Sequence, residues 1–230
     1  MLGLYVSVPI ACFRRGRARE YLETELLPPP SMCYGFFLSL VGETDRENHI
    51  GCRVSPSIVF SLNPDEMPGQ FTSDLSVVLR TVWRVKSKPL GSAGNTRPDY
   101  QQLLSNIHLV IWLDSSGETC ERTLEQRVQE ALTSPGNIQR FGGLSLGEST
   151  HLVDEVVEIE RWLARQKHPV SARRFELDPK GNLSLPVWVD HVGSQGTRYV
   201  RGSLIPGSIQ TPESGRMPQI SPENDSTVSQ

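Results

Sequence analysis

Three consecutive prolines, Pro28, Pro29 and Pro30, place the tightest local constraint on this chain. Proline lacks a backbone N–H and has a fixed φ, so none of the three can lie in a helix interior. The stretch that follows, "SMCYGFFLSLVGE" (Ser31 to Glu43), reads as a helix, with Ser31 as its N-cap and Gly42 as its stop. Met32, Phe36 and Leu40 line one face, with Cys33, Phe37 and Val41 beside them. That broad apolar stripe suits a helix laid on a sheet. Gly35 and Ser39, one turn apart, leave room for something to come close.

The sheet is predicted from segments on either side of this helix. "LGLYVSVPIACF" (Leu2 to Phe13) and "SPSIVFSL" (Ser55 to Leu62) have the β-branched and apolar content of strands. "VVLRTVWRVK" (Val77 to Lys86) alternates Arg80, Arg84 and Lys86 against Leu79, Thr81, Trp83 and Val85, and "IHLVIWLD" (Ile107 to Asp114) groups Ile107, Leu109, Ile111 and Leu113. The connection between those two, Ser87 to Ser105, is longer than structureless loops of a compact domain usually are. "ETCERTLEQRVQEALT" (Glu118 to Thr133) has the period of an amphipathic helix. "HLVDEVVEIE" (His151 to Glu160) then reads as a strand, with a helix as the alternative, and "NLSLPVWVDHV" and "TRYVRGSLIPG" read as a β-like pair.

The order strand, helix, strand, strand, helix, strand predicts an α+β, ferredoxin-like arrangement of the kind RNA-recognition modules share. One domain over residues 1–205 is expected. From Pro206 to Gln230 four prolines among Ser, Glu, Asn and Gln predict a disordered tail.

Composition removes several classes of function. No apolar run approaches the roughly 20 residues a membrane-spanning helix needs, and the N-terminus continues into "RRGRARE" without a small-residue cleavage site, so a soluble cytoplasmic protein with no membrane role is expected. Cys12, Cys33, Cys52 and Cys120 lack the spacing of a zinc site and read as free thiols, and no cofactor or metal is expected. The net charge of −3 argues against a chain coated in positive charge.

Two local basic clusters stand out against that background. One is Arg14, Arg15, Arg17 and Arg19, directly after the first strand. The other is Arg80, Arg84, Lys86, Lys88 and Arg97, in a span with no acidic residue. An extended hairpin with one cationic face suits a phosphate backbone, because Lys and Arg displace condensed counterions. "GGLSLGES" (Gly142 to Ser149) is neither a dinucleotide fingerprint nor a P-loop, and reads as an ordinary turn or as a backbone cradle for phosphate. The five histidines have no metal-ligand spacing, and His108 reads as structural.

Taken together, the opening strand with its arginines, the proline-led helix, the basic hairpin and the "GGLSLGES" loop resemble the Cas-five family of CRISPR-associated RAMP proteins, over about residues 2 to 200. The resemblance is strongest to members of type I-B and related effector complexes, including those carried by some transposons. It implies an RRM-like palm with a protruding thumb, here about residues 83–102, and a glycine-rich loop at 140–150. The implied role is to cap the 5′ handle of the guide RNA (crRNA) within a heteromeric complex. The implied partners are the backbone RAMP subunits and the large subunit, with target DNA close by.

Residue by residue, the resemblance places Ser31, Tyr34 and Gly35 beside the handle, with helix N–H groups aimed at phosphate. Arg14, Arg15 and Arg17 lie where the strand exits toward the same RNA. Arg84, Lys86, Lys88 and Arg97 become thumb contacts, and Gly142, Gly143 and Gly147 form the glycine-rich loop. The tyrosine, lysine and histidine constellation of the self-processing branch has no match here, which implies a subunit that is not an enzyme. A metal-independent endoribonuclease is the alternative, and a nucleotide-binding regulator built on the glycine-rich loop is a weaker third.

Overall fold

The computed structural model describes residues 1–16, 21–60, 73–83, 89, 92, 94–192 and 195–223, without the side chains of residues 81–83, 96 and 97. In chain order its elements are β1 (Leu2–Ala11), β2 (Phe13–Arg14), β3 (Tyr21–Leu22), β4 (Thr24–Glu25), α1 (Pro30–Leu40), β5 (Arg53–Phe60), β6 (Asp74–Trp83), β7 (Thr96–Asp114), α2 (Leu124–Thr133), β8 (Glu155–Glu158), α3 (Ile159–Leu163), β9 (Ser171–Leu177), β10 (Leu183–Trp188) and β11 (Arg198–Ser208). Among the described residues, nine strands form one mixed sheet in the order β10-β11-β9-β5-β7-β1-β8, with β3 and β6 joined to the long β7 outside that path. β2 and β4 pair separately.

The period-two alternation of the central strands fills both faces of the sheet. Leu4, Val6 and Val8 of β1 and Ile107, Leu109, Ile111 and Leu113 of β7 point to one side, where α1 and α2 bury Phe36, Phe37, Leu124 and Val128 against them. Tyr5, Val110 and Trp112 point to the other side, beneath Ile159 and Trp162 of α3. There Tyr5 stacks on Trp162 with ring centroids 4.2 Å apart, a pairing that adds about 0.5–1.5 kcal/mol beyond the area it buries.

The proline run sets α1 as expected, but by a different device. Pro29 is the N-cap and Pro30 the first helical residue, and no side chain caps the end. Ser31 is therefore not a cap. Prolines at these two positions remove donors that would otherwise need one, and the Met32 N–H is used by the Pro29 carbonyl at 2.9 Å. At the other end Gly42, at φ +68°, closes a Schellman turn, with the Glu43 N–H donating to the Leu38 carbonyl at 2.8 Å. The second helix starts later than its sequence period suggests. Thr123 caps it in a reciprocal capping box with Gln126, and Glu118 and Cys120 lie in the preceding loop.

Several expectations need correction. The connection expected after Lys86 is mostly strand, because β6 and β7 pair from Asp74–Ser105 out to Trp83–Thr96, so the hairpin is rooted well before residue 83. The segment His151 to Glu160 divides into β8 and the start of α3. β9 was not anticipated; its three charged residues hide a strand that pairs with both β5 and β11.

The largest correction concerns the tail. Pro206, Gly207 and Ser208 continue β11, and residues 209–223 fold back onto the sheet. Met217 and Ile220 are buried on opposite faces. The Val54 N–H donates to the Pro218 carbonyl at 2.9 Å and the Ile220 N–H to the Cys52 carbonyl at 2.8 Å. β9 reaches only Ser57 to Phe60 of β5, and the tail pairs alongside the start of that strand. Residues 224–230 lie outside the described residues.

Candidate nucleic-acid interface

The first turn of α1 and the β10–β11 pair face each other across a groove of about 930 Å³. Arg14, Arg15 and Gly16 from the end of β2, and Pro29, Ser31, Tyr34 and Gly35 from α1, line one side. Pro186, Trp188, His191 and Tyr199 line the other. Five residues singled out in the sequence, Arg14, Arg15, Ser31, Tyr34 and Gly35, are thus brought to one place. Gly35 is exposed there, and a Cβ built on it meets nothing within 4 Å.

Arginine supplies the groove's positive charge. Arg14 and Arg15 are exposed, and Arg15 Nε lies 3.4 Å from Glu25 Oε1. Burial raises the Glu25 pKa, against the pull of Arg15. Arg46, which sequence reasoning missed, lays its guanidinium 3.8 Å from the centroid of the Trp188 ring and donates to the Val189 carbonyl at 2.8 Å. Tyr34 is held inward, its hydroxyl donating to the Arg46 carbonyl at 2.7 Å. Burial pushes the Tyr34 phenol well above its ordinary pKa. Tyr34 thus forms part of the groove's floor. The expected array of helix N–H donors is reduced, since Pro29 and Pro30 have none and Met32 uses its own.

The glycine-rich loop forms a second cluster. Gly142 has φ +79° with open space around it, whereas a Cβ on Gly143 would come within 2.9 Å of Leu152. Gly147, at φ +109°, is more confined, because a Cβ there would lie 2.9 Å from His151 Nδ1 and 3.1 Å from the Cys12 carbonyl. His151 Nδ1 accepts from the Glu148 N–H at 3.0 Å and the Cys12 N–H at 3.3 Å, which clasps the loop to the end of β1. Burial lowers the His151 pKa, with Glu148 opposing and Arg80 assisting. Arg80 is spent locally, donating to Gln101 Oε1 at 2.9 Å and lying 3.5 Å from Glu148. Arg17, Arg19, Arg84, Lys86 and Lys88 lie outside the described residues; Arg97 has its backbone in β7 opposite Val82, and its side chain is not described.

Among the described residues, one set of donors close enough for a metal escaped sequence spacing, because it joins two loops: His49, Glu118 and Cys120. His49 Nδ1 lies 2.7 Å from Glu118 Oε2, and Cys120 Sγ donates to the same oxygen at 3.0 Å. Arg127 donates to His49 Nε2 at 3.0 Å, which leaves Nδ1 carrying the ring proton, and the Leu124 N–H donates to Glu118 at 3.0 Å. The atoms that would face a cation are engaged with one another, so the cluster acts as a polar rivet at the start of α2. His108, expected to be structural, accepts from the Tyr5 hydroxyl at 2.5 Å through Nδ1 and bonds Asn106 Oδ1 through Nε2 at 2.9 Å.

Arg46 stands singly among acidic and polar residues soon after α1 and carried no signal; Trp188, His191 and Tyr199 went unrecognised because residues 183–199 carried only a strand signal. Nothing in their spacing ties them to α1; the pairing of β10 and β11 beside that helix does.

No protein-family model matches the chain. It is 47% identical over 223 residues, 96% of this chain and 97% of the other, to the CRISPR-associated protein Cas5 of Myxococcus xanthus (strain DK1622). Its fold is similar to a chain of a solved CRISPR RNA-guided surveillance complex, with a TM-score of 0.58, 13% identity and 90% of each chain covered. A crystal structure of a Cas protein aligns over 90% of this chain and 93% of the other at 13% identity, with a TM-score of 0.43.

Proposed function

The chain belongs to the CRISPR-associated Cas5 family, and from that premise we propose that it is a non-catalytic, RNA-binding subunit of a type I effector complex, capping the 5′ handle of the guide RNA in the groove between α1 and β10–β11. One observation carries the reading: residues 14–16, the first turn of α1 and the β10–β11 wall converge on a groove with arginines at its rim and aromatic rings along one side. That combination suits single-stranded RNA, whose phosphates seek cations and whose bases seek flat faces.

The finer architecture follows the same reading. A ferredoxin-like palm is supported by β1, α1, β5, β7, α2 and β8, whose strands lie in the spatial order β8-β1-β7-β5 with antiparallel neighbours. The β6–β7 hairpin is taken as the thumb. Its exposed Leu75, Val77, Leu79 and Tyr100 give it the apolar surface of an interaction site, in keeping with contact to a neighbouring backbone subunit. The large subunit and the target DNA complete the partners proposed. Among the described residues no helix is long and apolar enough to cross a membrane, and the complex is proposed to act in the cytoplasm.

Co-expression with the neighbouring effector genes and a guide array tests this function. Short RNAs sharing one fixed 5′ end should co-purify with the tagged protein. Replacing Arg14 and Arg15 by Ala should weaken binding and lower the log-log salt slope by about 0.7 per lost contact with a single strand. Arg84→Ala with Lys86→Ala should do the same for the thumb. Protein that emerges without RNA sinks the reading. Cleavage of precursor RNA that survives chelator and is lost on replacing His108, or the exposed His168 that follows Lys167 after α3, would favour the endoribonuclease.

A further inference from the structure

The groove has an aromatic side as well as a cationic one, and the two aromatic rings there differ in availability. Trp188 is buried, one face covered by the Arg46 guanidinium. Tyr199 is 52% exposed, stands in β11 opposite Pro186, and lines the groove. Arg201, two residues further along β11 and on the same face by strand alternation, is exposed and sits opposite Ser184, which also lines the groove. A half-exposed phenol on a paired strand, with a cation two residues further along the same face, offers aromatic surface to the groove.

We propose that Tyr199 is the stacking platform for one unpaired base of the RNA held in this groove, with Arg201 taking an adjacent phosphate. The inference rests on the RNA-binding reading above and adds the subsite where a base, and not only the backbone, is engaged. Stacking on an aromatic side chain tolerates any base, because each has a π-face. The polar neighbours Asn182, Ser184 and Asp190 lie along the same wall and can meet the edge of the stacked base. Arg14 and Arg15 then hold the backbone while Tyr199 fixes the position of one nucleotide, and so the register of the strand.

The test uses the full-length chain and a labelled single-stranded RNA of about 12 nucleotides, read by fluorescence anisotropy over a salt series. Tyr199→Ala should weaken binding about tenfold, within the range measured for loss of one base–aromatic stack. The slope against salt should stay the same, since no phosphate contact is lost. Tyr199→Trp should restore affinity. Scanning one abasic site along the RNA should reveal a position at which Tyr199→Ala costs nothing further. Equal affinity of wild type and Tyr199→Ala, or a Trp variant as weak as the Ala variant, overturns the platform while leaving the handle-binding function standing. Absence of RNA binding by the wild-type chain removes both. Unchanged RNA affinity with loss of a co-purifying subunit would assign Tyr199 to a protein interface and also overturns the proposal. Because Tyr199 is half exposed, a thermal melt of the Ala variant should match wild type and exclude misfolding as the cause.

Discussion

Gly35 and Gly147 belong to two motifs that the sequence suggests for the same purpose, close approach of backbone to RNA, yet they sit in opposite surroundings. Gly35 lies on the open side of α1, with nothing near the place its side chain would occupy. Gly147 is packed against His151 and the Cys12 carbonyl, in a backbone conformation that L-residues avoid. One glycine leaves space for something outside the chain; the other lets two parts of the chain meet. A glycine motif alone cannot distinguish these uses, because both need only the absence of a Cβ.

The largest expected effect tests the closed member of the pair. Gly147→Ala forces a Cβ into an occupied position at φ +109° and should cost about 2 kcal/mol or more, seen as a lowered melting temperature. A variant as stable as wild type would mean the loop relaxes freely and the clasp is unimportant. The same change at Gly35 should stabilise slightly, by up to about 1 kcal/mol, since Ala is the better helix former.

The open member is tested by bulk. Gly35→Val extends a branched side chain into the groove from a Cβ position that meets nothing within 4 Å, so its melting temperature should stay near that of wild type. Recovery of guide RNA and of the assembled complex should fall severalfold. If the variant instead unfolds, Gly35 is needed for packing and the contrast with Gly147 collapses.

How much of this contrast was legible in the sequence follows from the range of the forces involved. The proline-led helix, the central strands and the amphipathic helix after them come from local periodicity and were readable. The grouping of Arg14, Arg15, Ser31 and Gly35 came from the family resemblance and not from periodicity. The far wall of the groove was not readable, because Trp188 and Tyr199 reach α1 only through pairing of strands distant from it in sequence. The ordered tail misled for a similar reason. Its prolines and serines suggest disorder, while two apolar anchors, Met217 and Ile220, suffice once β5 offers unpaired backbone. His151 carried no motif at all; its role comes from two backbone N–H groups that meet at one nitrogen.

That convergence makes the closed region sensitive to pH. His151 is held neutral in the fold, its pKa lowered by burial, whereas the unfolded chain takes up a proton near pH 6.5. Below that value the unfolded state binds more protons than the native one, so stability falls as pH drops and levels off once the native ring also titrates. His108, lowered by burial as well, acts in the same direction. Melting temperature should therefore decline from pH 7.5 to 5.5, and amide exchange at Cys12 and Glu148 should quicken over the same interval. His151→Asn should flatten part of that decline. A pH-independent loop would show that the clasp does not depend on the neutral ring.

The smallest expected effect separates the two helix starts. Thr123 accepts from the Gln126 N–H and is one half of a reciprocal box, so Thr123→Ala should cost about 1 kcal/mol. Ser31 occupies the position that sequence reasoning took for a cap, but Pro29 and Pro30 have no N–H to satisfy and the Met32 N–H is already bonded. Ser31→Ala should consequently change stability by less than about 0.5 kcal/mol, in keeping with a surface substitution. Any measurable loss from Ser31→Ala should appear in RNA affinity, because the hydroxyl lines the groove and not the core. A stability loss equal to that of Thr123→Ala would instead return Ser31 to the fold and remove it from the proposed RNA groove.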